Sequence, residues 1–554
     1  MSEGDAGRAF VLGLDGVPWD RLSRWVEAGE LPNFAALFEE GVTGPLDSTR
    51  PANTALAWPS ISAGVRPDKH GIYAFHALED DYRHRLNTSA DRSGPALWDR
   101  LSPAVVANVP MTYPASPIEG RMVAGMLSPR TDERFTHPPE LAAEIEREVP
   151  DYAVGLDWNE YGDRPTEFAA ELSALLDARR ELMQLLLDDE DWRLFFFVYT
   201  APDRLQHLRW EDEVLIEHYR ELDAVLGDVR EYVAERDATL FVASDHGFGP
   251  VSKHVHPNTV LARAGHLSPK NESGSRSVLS RLGLTKSRVM DGLERVGIDD
   301  AMLVTHLPEA LVDGVAARVP GENARYDVAY PETRAFVHGP GNLYVNDAAR
   351  FEQGIVAPDG VDALKDELAA LLEDVRDPVT DESALEVHDG DDLFPTDPRS
   401  PDLVIEPRAG YYVKPTLSEA VFTDPNAHAA DHRPEGIFLA WGPDVAAGAR
   451  IEGSVLDVAP TVLHAAGEAV PSGMDGRVLT EIFAPGSPAA TRPIETTDDG
   501  HDGGTGRPGD AEESGDGRSG EDGGDERDDG TERDDGEEDF SGVEERLQGL
   551  GYLE

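Results

Sequence analysis

The feature that most constrains this chain is a series of short apolar runs that alternate with amphipathic helical stretches. The runs lie at residues 10–14, 105–109, 122–126, 194–199 and 239–243. Between the last two runs, apolar residues from Leu215 to Val233 recur at spacings of three and four, which places them on one face of a helix. Continuous apolar strands alternating with such helices are typical of an α/β domain with a mostly parallel, buried sheet.

The composition is strongly acidic and contains no cysteine. Asp and Glu total 107 against 49 Lys and Arg, and the formal net charge is −58. We interpret this charge as adaptation to molar salt, where the Debye length falls to about 3 Å and self-repulsion is screened. Duplex nucleic acid is not an expected partner, because the chain has no basic stripe to displace counterions. Without cysteine, any metal must be bound by His, carboxylate, hydroxyl or water.

We expect neither an export signal nor a membrane span in this sequence. Its first residues, Met1 to Asp5, are acidic where a secretory signal would be basic. No window approaches the roughly 18 uncharged apolar residues that a membrane-spanning helix requires. We therefore expect a cytoplasmic protein.

Composition also suggests how the chain is divided. We predict a main domain over residues 1–485, interrupted by a polar, helical insertion or cap at about 265–330. Strand signals return after this insertion at residues 335–337, 343–345 and 403–405. Residues 486–539 are mostly Gly, Asp and Glu, leave almost nothing to bury and predict a disordered acidic linker. We predict that residues 540–554 form a short amphipathic C-terminal segment.

Carboxylates and imidazoles follow three of the predicted strands. Asp15 follows the first strand, Asp203 and His207 follow the fourth, and Asp245 and His246 follow the fifth. Because the carboxyl ends of parallel strands share one edge of a sheet, these side chains can converge on one crevice. Asp203 and His207, at i and i+4, share one helical face, a spacing suited to one cation. A single strand-end Asp is as often a helix cap, but three such motifs together are harder to explain as caps.

Further motifs occur in a fixed order along the chain. They are Gly13-Leu14-Asp15-Gly16, Leu31-Pro32-Asn33, residues 41–44, Thr54 with Ala57-Trp58-Pro59-Ser60, residues 67–72, 108–114 and 203–210, Ser244-Asp245-His246-Gly247, and residues 432–437, 457–461 and 474–477. This set resembles the alkaline phosphatase superfamily, most closely its type I phosphodiesterase/nucleotide pyrophosphatase branch. The resemblance implies a three-layer α/β/α sandwich with a mostly parallel central sheet and a helical insertion. The acidic composition favours a haloarchaeal-type member.

Position by position, the resemblance implies two divalent cations, expected to be Zn²⁺, with Mn²⁺ also suited to the ligands. The implied ligand sets are Asp15, Thr54, Asp245 and His246 for one cation, and Asp203, His207 and His432 for the other. Thr54 is implied as the nucleophile, because coordination to a dication lowers the pKa of its hydroxyl. A covalent phosphothreonine-type intermediate would follow. Asn53 is a candidate substrate-binding residue, with capping of the adjacent turn as the alternative.

The function implied is hydrolysis of phosphodiester or pyrophosphate bonds in a small phosphate ester or nucleotide-type substrate. A phosphomonoesterase, a phosphonate hydrolase or another phosphoryl-transfer enzyme of the superfamily is the nearest alternative. A sulfatase is less favoured, because Thr54 stands where sulfatases carry Cys or Ser. A Ser-His-Asp esterase is disfavoured, since Ser244, Asp245 and His246 are adjacent and no GxSxG motif occurs. A non-catalytic relative fits poorly, because all seven positions carry suitable residues.

The net charge predicts that the fold is more stable in concentrated salt. Raising KCl from about 0.2 M to about 2 M should raise the thermal unfolding midpoint by roughly 10 °C, because screening removes several kcal/mol of self-repulsion. Circular dichroism during heating measures the midpoint. Sucrose at matched osmolality is the control, since it stabilises proteins without screening charge. A midpoint that stays constant or falls with KCl would contradict the interpretation.

Overall fold

A computed structural model describes residues 7–129, 131, 134–156, 161, 164–187, 191–270, 328–339, 341–425 and 428–498. The β-strands in these ranges are β1 Ala9–Leu14, β2 Val42–Asp47, β3 His76–Leu78, β4 His84–Leu86, β5 Ala104–Ala107, β6 Gly120–Val123, β7 Thr136–His137, β8 Leu194–Tyr199, β9 Thr239–Ala243, β10 Gly247–Val255, β11 Ala335–His338, β12 Asn342–Val345, β13 Leu385–Asp389, β14 Leu403–Pro407, β15 Gly410–Val413, β16 Phe422–Thr423, β17 Ala430–Arg433, β18 Glu435–Trp441, β19 Ala449–Arg450, β20 Gly453–Ser454, β21 Val470–Pro471 and β22 Thr496–Thr497.

The α-helices in the same ranges are α1 Trp19–Glu27, α2 Pro32–Glu40, α3 Thr54–Ala63, α4 Pro67–His70, α5 Leu97–Arg100, α6 Glu140–Glu148, α7 Pro165–Leu187, α8 Ala201–Leu208, α9 Asp212–Ala234, α10 Pro257–Ala264, α11 Val361–Glu373, α12 Gly390–Leu393, α13 Val458–Ala465 and α14 Pro488–Thr491. None of the helices in the described ranges combines the length and the apolar composition needed to cross a lipid bilayer.

A ten-stranded, mostly parallel sheet forms the centre of the main domain. Its strand order is β19-β2-β18-β9-β1-β8-β5-β6-β7, and β20 also pairs with β2. Strand β1 lies between β8 and β9 and is parallel to both. Strand β18 is antiparallel to its neighbours β2 and β9. The α/β class predicted from the alternating apolar runs is confirmed.

Helices cover both faces of this sheet, because the side chains of a strand alternate between its two faces. Phe10 and Leu12 of β1 pack in one buried cluster with residues of α1, α2, α7 and α9. Ala9 and Val11 pack in another cluster with residues of α3, α5 and α13. The periodic apolar residues predicted for one helix are buried in α9. The resulting arrangement is the expected three-layer α/β/α sandwich.

A second, smaller core lies beside the main sheet. The antiparallel sheet β11-β12-β14-β13 and helix α11 enclose it, together with parts of β10, β15 and α10. Its buried residues include Phe336, Leu343 and Ile405. The strands predicted after residue 330 build this separate core, because their apolar faces pack on one another. Residues 271–327, most of the predicted insertion at 265–330, lie outside the described residues.

The first residues of the predicted acidic linker at 486–539 form regular secondary structure. Helix α14 is capped by the Ser487 side chain, which accepts a hydrogen bond from Ala490 N. Strand β22 pairs in parallel with β21, and Arg492 donates to the His464 carbonyl at 2.8 Å. These contacts hold the chain on the main domain to about residue 498. The rest of the predicted linker and the C-terminal segment at 540–554 lie outside the described residues.

Gly13 allows helix α3 to approach strand β1 closely. A Cβ atom at Gly13 would lie 2.4 Å from the Trp58 ring and 2.7 Å from Val198 Cγ2. In the space that glycine leaves, the Trp58 indole N–H donates a hydrogen bond of 3.2 Å to Asp15 Oδ2. The glycine therefore brings a helix from one layer into contact with the carboxylate at the end of the central strand.

The Gly13→Ala substitution should destabilise the protein by about 1–3 kcal/mol, because the added methyl group overpacks a buried contact. Urea unfolding in molar KCl measures the change. Gly360→Ala is the control, since its Cβ would meet only Val356 Cγ1 at 3.9 Å and should change stability by less than about 0.5 kcal/mol. Equal effects of the two substitutions would show that the Trp58 contact does not limit residue 13.

Candidate metal centre

Three carboxylates converge at the carboxyl ends of the central strands. Asp15 follows β1, Asp245 follows β9, and Asp203 lies in the first turn of α8, which follows β8. The parallel pairing of β1 with both neighbours fixes their relative positions, and Asp15 N donates to the Tyr199 carbonyl at the end of β8. His246 lies among them: its Nε2 is 3.3 Å from Asp245 Oδ2, 3.7 Å from Asp15 Oδ1 and 4.0 Å from Asp203 Oδ1.

The first group of potential metal ligands consists of Asp15, Asp245 and His246. Their ligand atoms lie within 4.8 Å of one another, and all three side chains are buried. Thr54, the first residue of α3, joins this group, with its Oγ1 atom 3.2 Å from His246 Nε2. The structure thus brings together the four residues that the resemblance assigns to one cation.

The second group consists of Asp203, His207 and His432. Asp203 Oδ1 is 3.5 Å from His207 Nε2 and 3.4 Å from His432 Nε2. The i, i+4 spacing on α8 places Asp203 and His207 on one face, as predicted. Pairing of β17 with β10 sets His432 opposite Phe248 and brings its side chain next to Asp203. All seven residues predicted as ligands therefore lie in one region at the sheet edge.

The electrostatics of the first group fit a bound cation. Burial, followed by the charges of Asp245 and Asp203, raises the pKa of Asp15 well above its usual value. Burial and the charge of Asp203 raise the pKa of Asp245 to about 7. Asp15 Oδ1 and Asp245 Oδ2 are buried without a hydrogen-bond partner among the described residues. Because an unsatisfied buried carboxylate is costly, these oxygens suit a dication.

The second group differs from the first because two histidines face its single carboxylate. Burial opposes ionisation of Asp203, but His207 and His432 outweigh burial and hold the pKa of this carboxyl well below its usual range. Burial lowers the pKa of His432 and of His246, which favours the neutral imidazole that binds metals. The nitrogen and oxygen donors of both groups match the ligand preferences of Zn²⁺ and Mn²⁺.

Asn53 and Thr54 lie at the N-terminus of α3. Asn53 Oδ1 accepts a hydrogen bond of 3.0 Å from Ala55 N and so caps the helix. The capping role that was the alternative for Asn53 is therefore present, while its Nδ2 group takes no part in the cap. The partial positive charge of a helix N-terminus favours an anion beside Thr54, as a phosphate group would be.

Several side chains that carried no predicted role hold the site together. Gln206 Nε2 donates to the Gly16 carbonyl at 2.7 Å, and Gly16 N donates to Asp245 Oδ1 at 3.2 Å. Ser244 Oγ accepts from Val17 N at 2.8 Å and donates to the His246 carbonyl at 2.6 Å. Both Ser244 bonds involve the backbone, which further disfavours Ser244 as an esterase nucleophile. Local spacing gave no signal for these contacts, because they form between distant segments.

Comparison with known protein families places this chain in one of them. Residues 9–434 match the family model of type I phosphodiesterase/nucleotide pyrophosphatase. The chain therefore belongs to this family, whose members hydrolyse phosphodiester bonds. No curated protein matches the chain.

The solved structures of two proteins are similar to this chain over most of its length. Murine ectonucleotide pyrophosphatase/phosphodiesterase 5 is 14% identical, with a TM-score of 0.46 over 86% of this chain and 100% of that one. An inactive variant of the murine protein in complex with AMP is 12% identical, with the same TM-score and coverage. The human counterpart is 13% identical, with a TM-score of 0.45 over 86% of this chain and 99% of its own.

The raised pKa of Asp245 predicts how stability depends on pH when metal is absent. The pKa is about 7 in the folded protein against an ordinary value of 3.8. Between these values the folded state binds more protons than the unfolded state, so this group makes stability fall as pH rises. Asp245→Asn removes the effect. Without metal, the variant should therefore be more stable than wild type at about pH 8. Its free energy of unfolding should rise less than that of wild type as the pH falls toward about 4.

Urea unfolding in molar KCl with EDTA, repeated across this pH range, measures the difference. Asp20→Asn, at an exposed carboxylate of α1, is the control and should give no pH-dependent difference. A gain from Asp245→Asn that is the same at all pH values would contradict the raised pKa of Asp245.

Proposed function

We propose that this chain hydrolyses phosphodiester or pyrophosphate bonds with two divalent cations and with Thr54 as the nucleophile. The observation that carries the proposal is the position of Thr54. Its Oγ1 atom lies 3.2 Å from His246 Nε2 at the N-terminus of α3, beside two groups of ligand residues. A nucleophile, cation ligands and an anion-favouring helix end thus share one buried region.

The first group and Thr54 would hold one cation, and the second group would hold the other; we propose Zn²⁺ for both. Bound dications would lower the pKa of the Thr54 hydroxyl and neutralise charge on the phosphate oxygens. Without them, the threonine hydroxyl is a weak nucleophile at neutral pH. The cations would also offset the burial and the carboxylate repulsion that together raise the pKa of Asp15 and Asp245.

The proposed reaction has two displacements at phosphorus. Thr54 Oγ forms a bond to phosphorus while the bond to the leaving oxygen breaks, and the leaving group takes up a proton. Water then attacks the phosphothreonine, the bond from Thr54 Oγ to phosphorus breaks, and the threonine regains its proton. Two inversions give overall retention of configuration. The Nδ2 group of Asn53, not used by the helix cap, would donate a hydrogen bond to a nonbridging oxygen.

The substrate we propose is a small phosphate ester or a nucleotide-type molecule. The support is the family, which is defined by action on phosphodiesters and nucleotide pyrophosphates. The halophilic character and the cytoplasmic location stay predictions from the sequence.

Thr54→Ala should lower the turnover of bis(p-nitrophenyl) phosphate by about 10³-fold or more, because the nucleophile is removed. Thr54→Ser, which keeps the hydroxyl, is the matched control and should retain measurable turnover. Absorbance assays in molar KCl with added Zn²⁺ or Mn²⁺ measure both, with p-nitrophenyl phosphate as the monoester comparison. EDTA should abolish the wild-type rate.

Three results would contradict parts of the proposal. Full activity of Thr54→Ala would exclude Thr54 as the nucleophile, and full activity in EDTA would exclude metal dependence. Preference for p-nitrophenyl phosphate would identify a phosphomonoesterase instead. Metal content of the variants, measured by mass spectrometry, separates loss of the nucleophile from loss of the cations.

A further inference from the structure

A buried carboxylate, Asp431, lies beside both histidines of the second ligand group. Its Oδ2 atom is 3.8 Å from His207 Nδ1, and its Oδ1 atom is 3.6 Å from His432 Nδ1. The other nitrogen of each ring, Nε2, lies 3.5 and 3.4 Å from Asp203 Oδ1. Each imidazole therefore presents one nitrogen to Asp203 and the other to Asp431.

We propose that Asp431 is a positioning residue that orients His207 and His432 toward the second cation. A neutral imidazole has one N–H group and one lone pair. At 3.8 and 3.6 Å the Asp431 carboxylate is beyond hydrogen-bond distance of the two Nδ1 atoms, but its negative charge favours the tautomer with the proton on Nδ1. The Nε2 lone pairs of both rings then face the cation. This inference rests on the proposed two-metal function and adds a single carboxylate that serves two ligands.

Hydrogen bonds and ring contacts on the side facing the smaller core hold Asp431 itself in place. His432 N donates a hydrogen bond of 2.6 Å to its Oδ1 atom, and His428 Nε2 lies 2.7 Å from its Oδ2 atom. His254 of β10 reaches the same histidine, with its Nε2 3.2 Å from His428 Nδ1. The Tyr412 ring packs edge-on against His428, with ring centroids 4.7 Å apart. The carboxylate thus has a fixed position between α8 and the smaller core.

The backbone ties this segment to the helix that carries His207. Ala429 N donates a hydrogen bond of 2.9 Å to the His207 carbonyl. Strand β17, which contains Asp431 and His432, pairs with β10 directly after the Asp245-His246 turn. A displacement of Asp431 would therefore act most directly on the two histidine ligands of the second cation.

A separate ion is the alternative explanation for this cluster. His207, His428 and Asp431 also have ligand atoms within 4.8 Å of one another. An ion there would need the Nδ1 lone pair of His207 while Nε2 binds the second cation, so the ring would have to lose both protons. Because a neutral ring offers an N–H group at Nδ1, orientation by Asp431 is favoured, and a third ion is an outcome of the test.

The test compares cation binding by metal-free wild type and Asp431→Asn, which keeps the shape of the side chain and removes its charge. Zn²⁺ affinity is measured by chelator competition on the full chain in molar KCl. We expect the second Zn²⁺ to bind about 10- to 100-fold more weakly in the variant, with the first unchanged. Co²⁺ loading adds a spectroscopic signature, since altered histidine orientation changes the visible absorption of the second Co²⁺.

Asp402→Asn is the matched control, because Asp402 is a carboxylate of similar burial in the smaller core, 7% exposed against 5% for Asp431. It should alter thermal stability without altering Zn²⁺ affinity. Should Asp431→Asn not fold, His428→Gln replaces it: this variant keeps the Asp431 charge, loosens its support and should weaken the second Zn²⁺ by a smaller factor.

The outcomes separate this inference from the proposed function. Two Zn²⁺ ions of unchanged affinity in Asp431→Asn would overturn the inference alone. Three ions in wild type and two in the variant would also overturn it, because Asp431 would then be a ligand. A wild-type chain that binds no Zn²⁺ would overturn the proposed function together with the inference.

Discussion

Repulsion among three buried carboxylates is the constraint on which this site depends. Asp15, Asp203 and Asp245 are brought together because the strands that precede them are neighbours in one parallel sheet. The protein offsets the repulsion in part, through the Trp58 indole N–H on Asp15 and the Gly16 N–H on Asp245. Burial and the repulsion that remains still raise the pKa of Asp15 and of Asp245. Buried carboxylates in this arrangement suit the binding of cations.

The two parts of the fold contribute differently to the centre. The main sheet and its helices carry the first ligand group, Thr54 and two of the three residues of the second group. His432 comes from β17, which pairs with β10, a strand that continues into the smaller core. The loop before Thr54 is also tied to that core, since Arg50 Nη1 donates to Glu406 Oε2 at 2.5 Å. Packing of the smaller core therefore bears on both the nucleophile and the second cation.

The main sheet and the centre were largely predictable, because their signals are local. Apolar runs identified β1, β8 and β9, and the convergence of the Asp and His residues after them followed from the rule that parallel strand ends share an edge. The roles of Thr54 and His432 came only from the family resemblance. Strand β2 was missed, since Gly44 and Pro45 interrupt its apolar pattern. Gly44 is needed there, because a Cβ would lie 1.8 Å from the Ile451 carbonyl oxygen. The smaller core and the contacts of Asp431 depend on distant segments, which spacing along the chain does not reveal.

Anomalous X-ray diffraction at the zinc edge, from crystals grown with Zn²⁺, tests the central claim most directly. The account predicts two anomalous peaks, one among Asp15, Asp245, His246 and Thr54, and the other among Asp203, His207 and His432. A chain without peaks at these positions, or with a peak only beside His428, would contradict the two-cation centre.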